Sequence, residues 1–195
     1  GKPDLERAHP PATKGRMVRL FTALAVPPDV ADTLVRRQTG LPGAAWRPPE
    51  ALHITLAFYG EMSLRQADDL DAELGRAGGR GPLTLSLSGV GAFGDGHKAR
   101  ALWAGVTDEP RLTQLAARCD SAGRRAGLDP PRRTYHPHVT LAYLKPTARD
   151  DRLAAWMQGH NLLQSPPFRL DHFGLWSSVT GPNGGTYVLE REYPL

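Results

Sequence analysis

The chain has 195 residues, 40% of them hydrophobic and 23% charged, which suits one sizeable domain or two small packed lobes and excludes a disordered or fibrous protein. The apolar run Leu20–Val26 is far too short to span a membrane, and no basic-then-apolar segment with a small-residue cleavage site marks a secretory signal. A single cysteine, Cys119, excludes an internal disulfide and fits a reducing, cytoplasmic setting, while the formal charge of +4 is compatible with an anionic partner.

Residues 1–16 are rich in proline and basic residues without periodicity, and read as a flexible leader, either native or added ahead of Met17. A single domain over 17–195 is expected after it. Val18–Val26 reads as a strand, and Pro27-Pro28-Asp29 opens a helix with proline in its permitted first turn. Trp46–Glu50 reads as a loop leading into a strand over His53–Tyr59. Ser63 is placed to cap a helix running to about Arg76, with Leu64, Ala67, Leu70 and Leu74 as its buried stripe. Leu83, Leu85 and Leu87 alternate as one strand, and Ala101–Val106 forms another. The order then recurs. Asp108 and Pro110 start a helix carrying Leu112, Leu115, Ala116 and Cys119, and Tyr135–Leu144 is a strand. Thr147 caps a helix with Leu153 and Trp156, and Phe168–Ser177 and Thr186–Tyr193 close as a hairpin across 181–185.

Within this recurrence lies a repeated phrase, His53-Ile54-Thr55-Leu56 and His138-Val139-Thr140-Leu141, 85 residues apart. Side chains on a strand alternate faces, so His53 and Thr55 share one face while Ile54 and Leu56 anchor the other; the second copy repeats this. A single copy would mean little. Two copies, each on a strand followed by a helix, place two imidazoles and two hydroxyls where one histidine can accept a proton and the other donate one. The remaining histidines His9, His97, His160 and His172 show no partner pattern and are expected on the surface or in loops. His136 and His138 could share one face for a metal, but no neighbouring carboxylate pattern supports such a site, and none is expected. Gly91–Gly96 lacks the Gly-Lys-Ser/Thr ending of a phosphate loop and reads as a turn. The pairs Arg124-Arg125 and Arg132-Arg133 could follow an RNA backbone or simply solvate a helix end and a turn.

From Met17 to Leu195 the chain resembles the two-histidine phosphoesterase superfamily, within it the RNA 2′,3′-cyclic phosphodiesterases, also called 2′-5′ RNA ligases. The residues carrying the resemblance are Met17–Leu24 with Pro27-Pro28, Trp46-Arg47-Pro48-Pro49, His53–Glu61, Gly91-Ala92-Phe93, Ala101–Val106, Pro137–Ala142, and Gly184–Tyr187 through Pro194-Leu195. It implies an α+β fold of two pseudo-symmetric lobes, each an antiparallel sheet with helices packed outside, facing one another across a central cleft. It also implies a phosphate held between His53 and His138 and contacted by Thr55 and Thr140, with no metal or other cofactor.

The implied reaction is hydrolysis of an RNA 2′,3′-cyclic phosphate end to a 2′-phosphate, with tRNA fragments among the substrates. Reversible ATP-independent 2′-5′ ligation is implied beside it, and the enzyme is expected to work as a cytoplasmic monomer. In two places the chain departs from the pattern. Tyr143 stands where relatives usually have arginine, and Ala57 where a basic residue is common. Each loss would remove a phosphate contact of roughly 1.5–3 kcal/mol, and Lys145 and Arg133 are the candidates for replacement charge. Phe58 and Tyr143, each five residues after its histidine, are candidates to stack on a base, although strict alternation turns both toward the core unless the strands bulge. Two rival readings are a non-catalytic RNA- or nucleotide-binding module, and a related phosphodiesterase acting on 2′-5′ oligonucleotides or cyclic nucleotides.

Overall fold

The computed structural model describes residues 15–94, 98–146, 150–182 and 184–195; the expected leader (apart from Gly15 and Arg16), His9, His97 and the Thr147 cap lie outside them. The elements run β1 (Met17–Ala25), α1 (Pro28–Val35), β2 (Ala44–Trp46), β3 (His53–Ser63), α2 (Leu64–Leu74), β4 (Leu83–Leu85), β5 (Leu87–Phe93) and β6 (Ala101–Val106), then α3 (Pro110–Arg125), β7 (His138–Leu144), α4 (Asp150–His160), β8 (Phe168–Leu170), β9 (His172–Val179) and β10 (Thr186–Pro194).

Every strand pair in the main ladder is antiparallel, in the order β10-β9-β1-β3-β7-β6-β5, with β2 added to β7 and β4 paired with β8 apart from it. Apart from β10 and β2, the order is a mirror about one point. β3 and β7 meet through the single pair Ile54↔Val139, and outward from there β1 corresponds to β6 and β9 to β5. The two middle residues of the repeated phrase therefore form the seam between the lobes, both fully buried. Each lobe also borrows a strand: β5, at the end of the first repeat, pairs with β6 of the second, and β9, from the second, pairs with β1 of the first. The helices cross over too, since α3 of the second repeat packs on β3 and α2 of the first.

Several expected boundaries are corrected. Leu83–Leu87 and Phe168–Ser177 are each two strands, broken at Ser86 and Asp171, because the chain leaves the β4–β8 ribbon there to join the main sheet. Ser86 and Asp171 are separated by the same 85 residues as the two histidines. The first motif strand continues to Ser63 past Gly60, whose φ of +78° accommodates an irregularity in the ladder. The second begins at His138 rather than Tyr135, because Pro137 has no N–H to give the ladder. Trp46, expected as the start of a loop, instead ends a short strand, Ala44–Trp46, that pairs with β7. Ser63 does cap α2: its hydroxyl accepts from the Gln66 N–H while the Gln66 side chain accepts from the Ser63 N–H. For α3 the cap is Glu109, not Asp108.

Candidate active site

His53 and His138 lie on neighbouring antiparallel strands across the Ile54↔Val139 seam. Because alternate residues share a face, both histidines and both threonines stand on the side opposite Ile54 and Val139, and that side is the floor of the cleft. The ladder also resolves the position of the two aromatic candidates. In β3 the register jumps from Ala23↔Thr55 to Thr22↔Ala57, leaving Leu56 as an extra residue. In β7 it jumps from Trp103↔Thr140 to Leu102↔Ala142, leaving Leu141 extra. Each motif leucine is thus a β-bulge, at the same place in each repeat. A bulge reverses the alternation beyond it, so Phe58 and Tyr143 return to the cleft side, 61% and 38% exposed.

The same bulge changes the meaning of one departure from the family pattern. Ala57 pairs with Thr22, whose hydroxyl meets Tyr59 beside α3. That is the helix side of the sheet, so a basic residue at 57 would start from the face opposite the cleft. Tyr143 remains the one departure facing the site.

The walls around the two histidines are related by the pseudo-symmetry but are not alike. Trp176 and Phe93 occupy equivalent ladder positions, paired with Phe21 and Ala101 respectively. Trp176 lies 4.3 Å from the His53 ring and Phe93 lies 4.8 Å from the His138 ring, edge to face. Equivalent glycines, Gly91 and Gly174, lie beneath the neighbouring indoles; a Cβ on either would collide with the ring of Trp103 or Trp176. His53 is further enclosed by Phe21 at 6.1 Å and by Tyr187, stacked at 5.6 Å. His138 has instead Trp103 at 6.3 Å and His136 at 5.7 Å.

These differences reach the imidazoles. His53 is 6% exposed, and its buried Nδ1 has no hydrogen-bond partner among the described residues. Burial, with the Arg47 guanidinium adding to it, lowers its pKa to about 4. His138 is less enclosed, and its Nδ1 lies 2.6 Å from the His136 carbonyl; that oxygen can only accept, so Nδ1 carries the proton and Nε2 is the basic atom when the ring is neutral. Burial lowers the His138 pKa as well, opposed by this carbonyl, which favours the charged ring. Both imidazoles are therefore neutral near pH 7 in the free protein.

Lys145 and Arg133 are both exposed; the Lys145 backbone N–H bonds to the Gly43 carbonyl at the end of β7. Among the described residues neither side chain contacts the rings around the two histidines, whereas Arg47, to which the sequence assigned no role, does. Its guanidinium donates to the Gly185 carbonyl at 2.6 Å and lies over the rings of Tyr143 and Tyr187, 5.5 and 5.1 Å from their centres. The Trp176 wall was legible only through its 83-residue offset from Phe93, a number without meaning until the ladder is known. Among the described residues no group of three or more histidine, cysteine or acidic side chains is arranged to hold a metal ion.

Comparisons with known proteins bear on the family and the fold. An Escherichia coli protein named RNA 2′,3′-cyclic phosphodiesterase is 37% identical over 127 residues, covering 63% of this chain and 70% of its own. One of the same name from Thermus thermophilus is 30% identical over 192 residues, covering 91% and 90%. The crystal structure of E. coli LigT complexed with 3′-AMP superposes with a TM-score of 0.71 at 28% identity, covering 92% of this chain and 99% of that one. The crystal structure of TT0787 of Thermus thermophilus gives 0.73 at 26% identity, covering 91% and 97%. Residues 26–182 match the 2′-5′ RNA ligase superfamily, and the chain belongs to it.

Proposed function

We propose that this protein hydrolyses RNA ends bearing a 2′,3′-cyclic phosphate to 2′-phosphates by paired-histidine acid–base catalysis without a metal. The observation that carries this reading is the seam at Ile54↔Val139, which sets one histidine and one threonine from each repeat on a common floor. The names of the relatives support the substrate class.

In the reaction, a water oxygen attacks phosphorus while one imidazole, neutral, takes the water's proton. The bond from phosphorus to the ribose 3′-oxygen breaks, and the other imidazole, protonated, gives its proton to that oxygen. The products are a 2′-phosphomonoester and a free 3′-hydroxyl. Thr55 and Thr140 donate their hydroxyls to the non-bridging oxygens, where negative charge accumulates. With a 5′-hydroxyl in place of water as the nucleophile, the same steps in the same direction break the bond to the 3′-oxygen and form a 2′-5′ linkage without ATP.

Beside the floor, a groove of about 310 Å³ is lined by Phe21, Phe58, Ser178, Thr180 and Tyr187 among others; a base stacked on Phe58 or Tyr143 places the scissile phosphate toward the histidines. A bound phosphate anion favours the charged imidazole, which supplies the acid that the free protein lacks at neutral pH. Both repeats come from one chain, so the site is complete in a monomer. tRNA fragments ending in cyclic phosphate and a cytoplasmic setting suit this chemistry. Among the described residues no helix is long and apolar enough to cross a membrane.

The test is hydrolysis of an oligoribonucleotide ending in 2′,3′-cyclic phosphate, in EDTA, by wild type, His53→Ala and His138→Ala. The expected result is a 2′-phosphate product from wild type and near-complete loss in both variants. Tight binding without turnover by wild type would point instead to a binding module.

A further inference from the structure

We infer that Arg47 supplies the fixed positive charge of the phosphate site, in place of the arginine that the family pattern puts at position 143. This rests on the catalytic reading above and names the residue that holds its anion.

The argument is one of placement. Arg47 follows β2, a strand of the second lobe through its pairing with β7, and its backbone N–H donates to the carbonyl of Leu141, the bulged leucine of the second motif, at 2.8 Å. Its carbonyl accepts from the Gln38 side chain, which also donates to that same Leu141 carbonyl. The side chain then crosses to the first lobe, where it donates to Gly185 in the turn between β9 and β10. It is 4% exposed, so its charge is held in one position. Tyr143 from β7 and Tyr187 from β10 flank the guanidinium, and Tyr187 stacks on His53.

The turn is shaped for this guanidinium. Gly184 has φ +108°, and a Cβ there would run into both Arg47 and the Tyr143 ring. A glycine is required twice over at that point, by backbone conformation and by space. An arginine at 143 would bring a second guanidinium against the first; a tyrosine brings an aromatic face, which a cation favours. The tyrosine at 143 and the arginine at 47 therefore belong to one arrangement. The field of Arg47 already reaches His53, whose imidazolium it disfavours. The same field attracts a phosphate seated against His53, and a low-dielectric, rigid site makes that attraction larger than a surface arginine gives.

The experiment compares wild type, Arg47→Gln, Arg47→Lys and the double variant Arg47→Gln/Tyr143→Arg. Inorganic phosphate affinity is measured by calorimetry, and kcat/KM on a cyclic-phosphate oligoribonucleotide. Arg47→Gln is expected to weaken phosphate binding and lower kcat/KM by about 10- to 100-fold. Arg47→Lys should recover most of the loss, and the Tyr143→Arg partner at least tenfold of it. In Arg47→Gln the His53 imidazole, faced otherwise by Tyr187, Phe21 and Trp176, should also titrate at higher pH in NMR. Wild-type phosphate affinity in a folded Arg47→Gln, or failure of Tyr143→Arg to restore it, would reduce Arg47 to a clasp between the lobes.

If Arg47→Gln does not fold, the Nε–H resonance of Arg47 in wild type, assigned with Arg47→Lys, is followed during phosphate titration. Movement supports the inference and immobility overturns it. A wild type that binds phosphate through Arg47 but hydrolyses nothing would leave the inference standing and remove the catalytic reading.

Discussion

The two lobes share a backbone plan and differ in what surrounds each histidine. In the first, His53 lies under Trp176, Phe21 and Tyr187, its Nδ1 without a partner among the described residues and Arg47 nearby. In the second, His138 is more open and pinned through Nδ1 to the His136 carbonyl, between Phe93 and Trp103. The repeat fixes where two imidazoles stand; the unlike walls decide how readily each holds a proton. Acid–base catalysis uses one imidazole protonated and the other neutral, and the unlike walls bias where that single proton sits.

The sharpest way to break the comparison is to remove one histidine at a time. His53→Ala and His138→Ala should each lower kcat by about 10³-fold, within the usual range for a lost general acid or base. The double variant should be little worse than either single, since the two act as a unit; single-turnover assays read both. Next in size is the seam. Ile54→Ala removes a fully buried side chain where the lobes meet and should cost about 2–5 kcal/mol in urea unfolding.

The inequality itself should show in acid. His53 is held at about 4 in the folded protein against an ordinary value of 6.5, so below pH 6.5 the unfolded chain takes up a proton that the folded one refuses. Stability should therefore fall as pH drops from 6.5 to 4, by about 3 kcal/mol from this group, and His53→Gln should remove that dependence. Burial lowers the His138 pKa from its ordinary value as well, opposed by the His136 carbonyl, so kcat/KM should peak below pH 6.5.

Smaller effects test the cleft rim. Phe58→Ala should raise KM for an oligonucleotide by the equivalent of about 1–2 kcal/mol of lost stacking and leave the melting temperature unchanged, because the side chain is exposed. Lys145→Gln and Arg133→Gln, both on the surface, should each change only the salt dependence of RNA binding, by about one unit of slope.

Much of this molecule could be read from its residues. The alternation in each phrase located both histidines and both threonines on one face, and the 85-residue spacing announced two related halves. The helix capped by Ser63 followed from Ser63 standing ahead of the stripe Leu64, Ala67, Leu70 and Leu74. What stayed hidden depends on pairing between distant strands. That Leu56 and Leu141 are bulges is a property of the ladder with β1 and β6; nothing in a leucine declares it, though the exposure of Phe58 and Tyr143 depends on it. The breaks at Ser86 and Asp171 arise because one strand serves two sheets. Arg47 stands six residues before His53 in a proline-rich stretch, and its place beside Tyr143 and Gly185 comes from the closure of the far end of the chain upon it.

The exchange of β5 and β9 between the lobes has a consequence for how the molecule moves and how it forms. A lobe missing its borrowed strand has an open ladder edge, so neither repeat can be completed by local folding alone. The chain must commit to both halves together, which makes folding a single cooperative event with slow, long-range closure. Once formed, the distance between the two imidazoles is set by hydrogen-bonded backbone running through the seam from one edge to the other. The gap between them is thus a property of the backbone ladder rather than of side-chain rotamers.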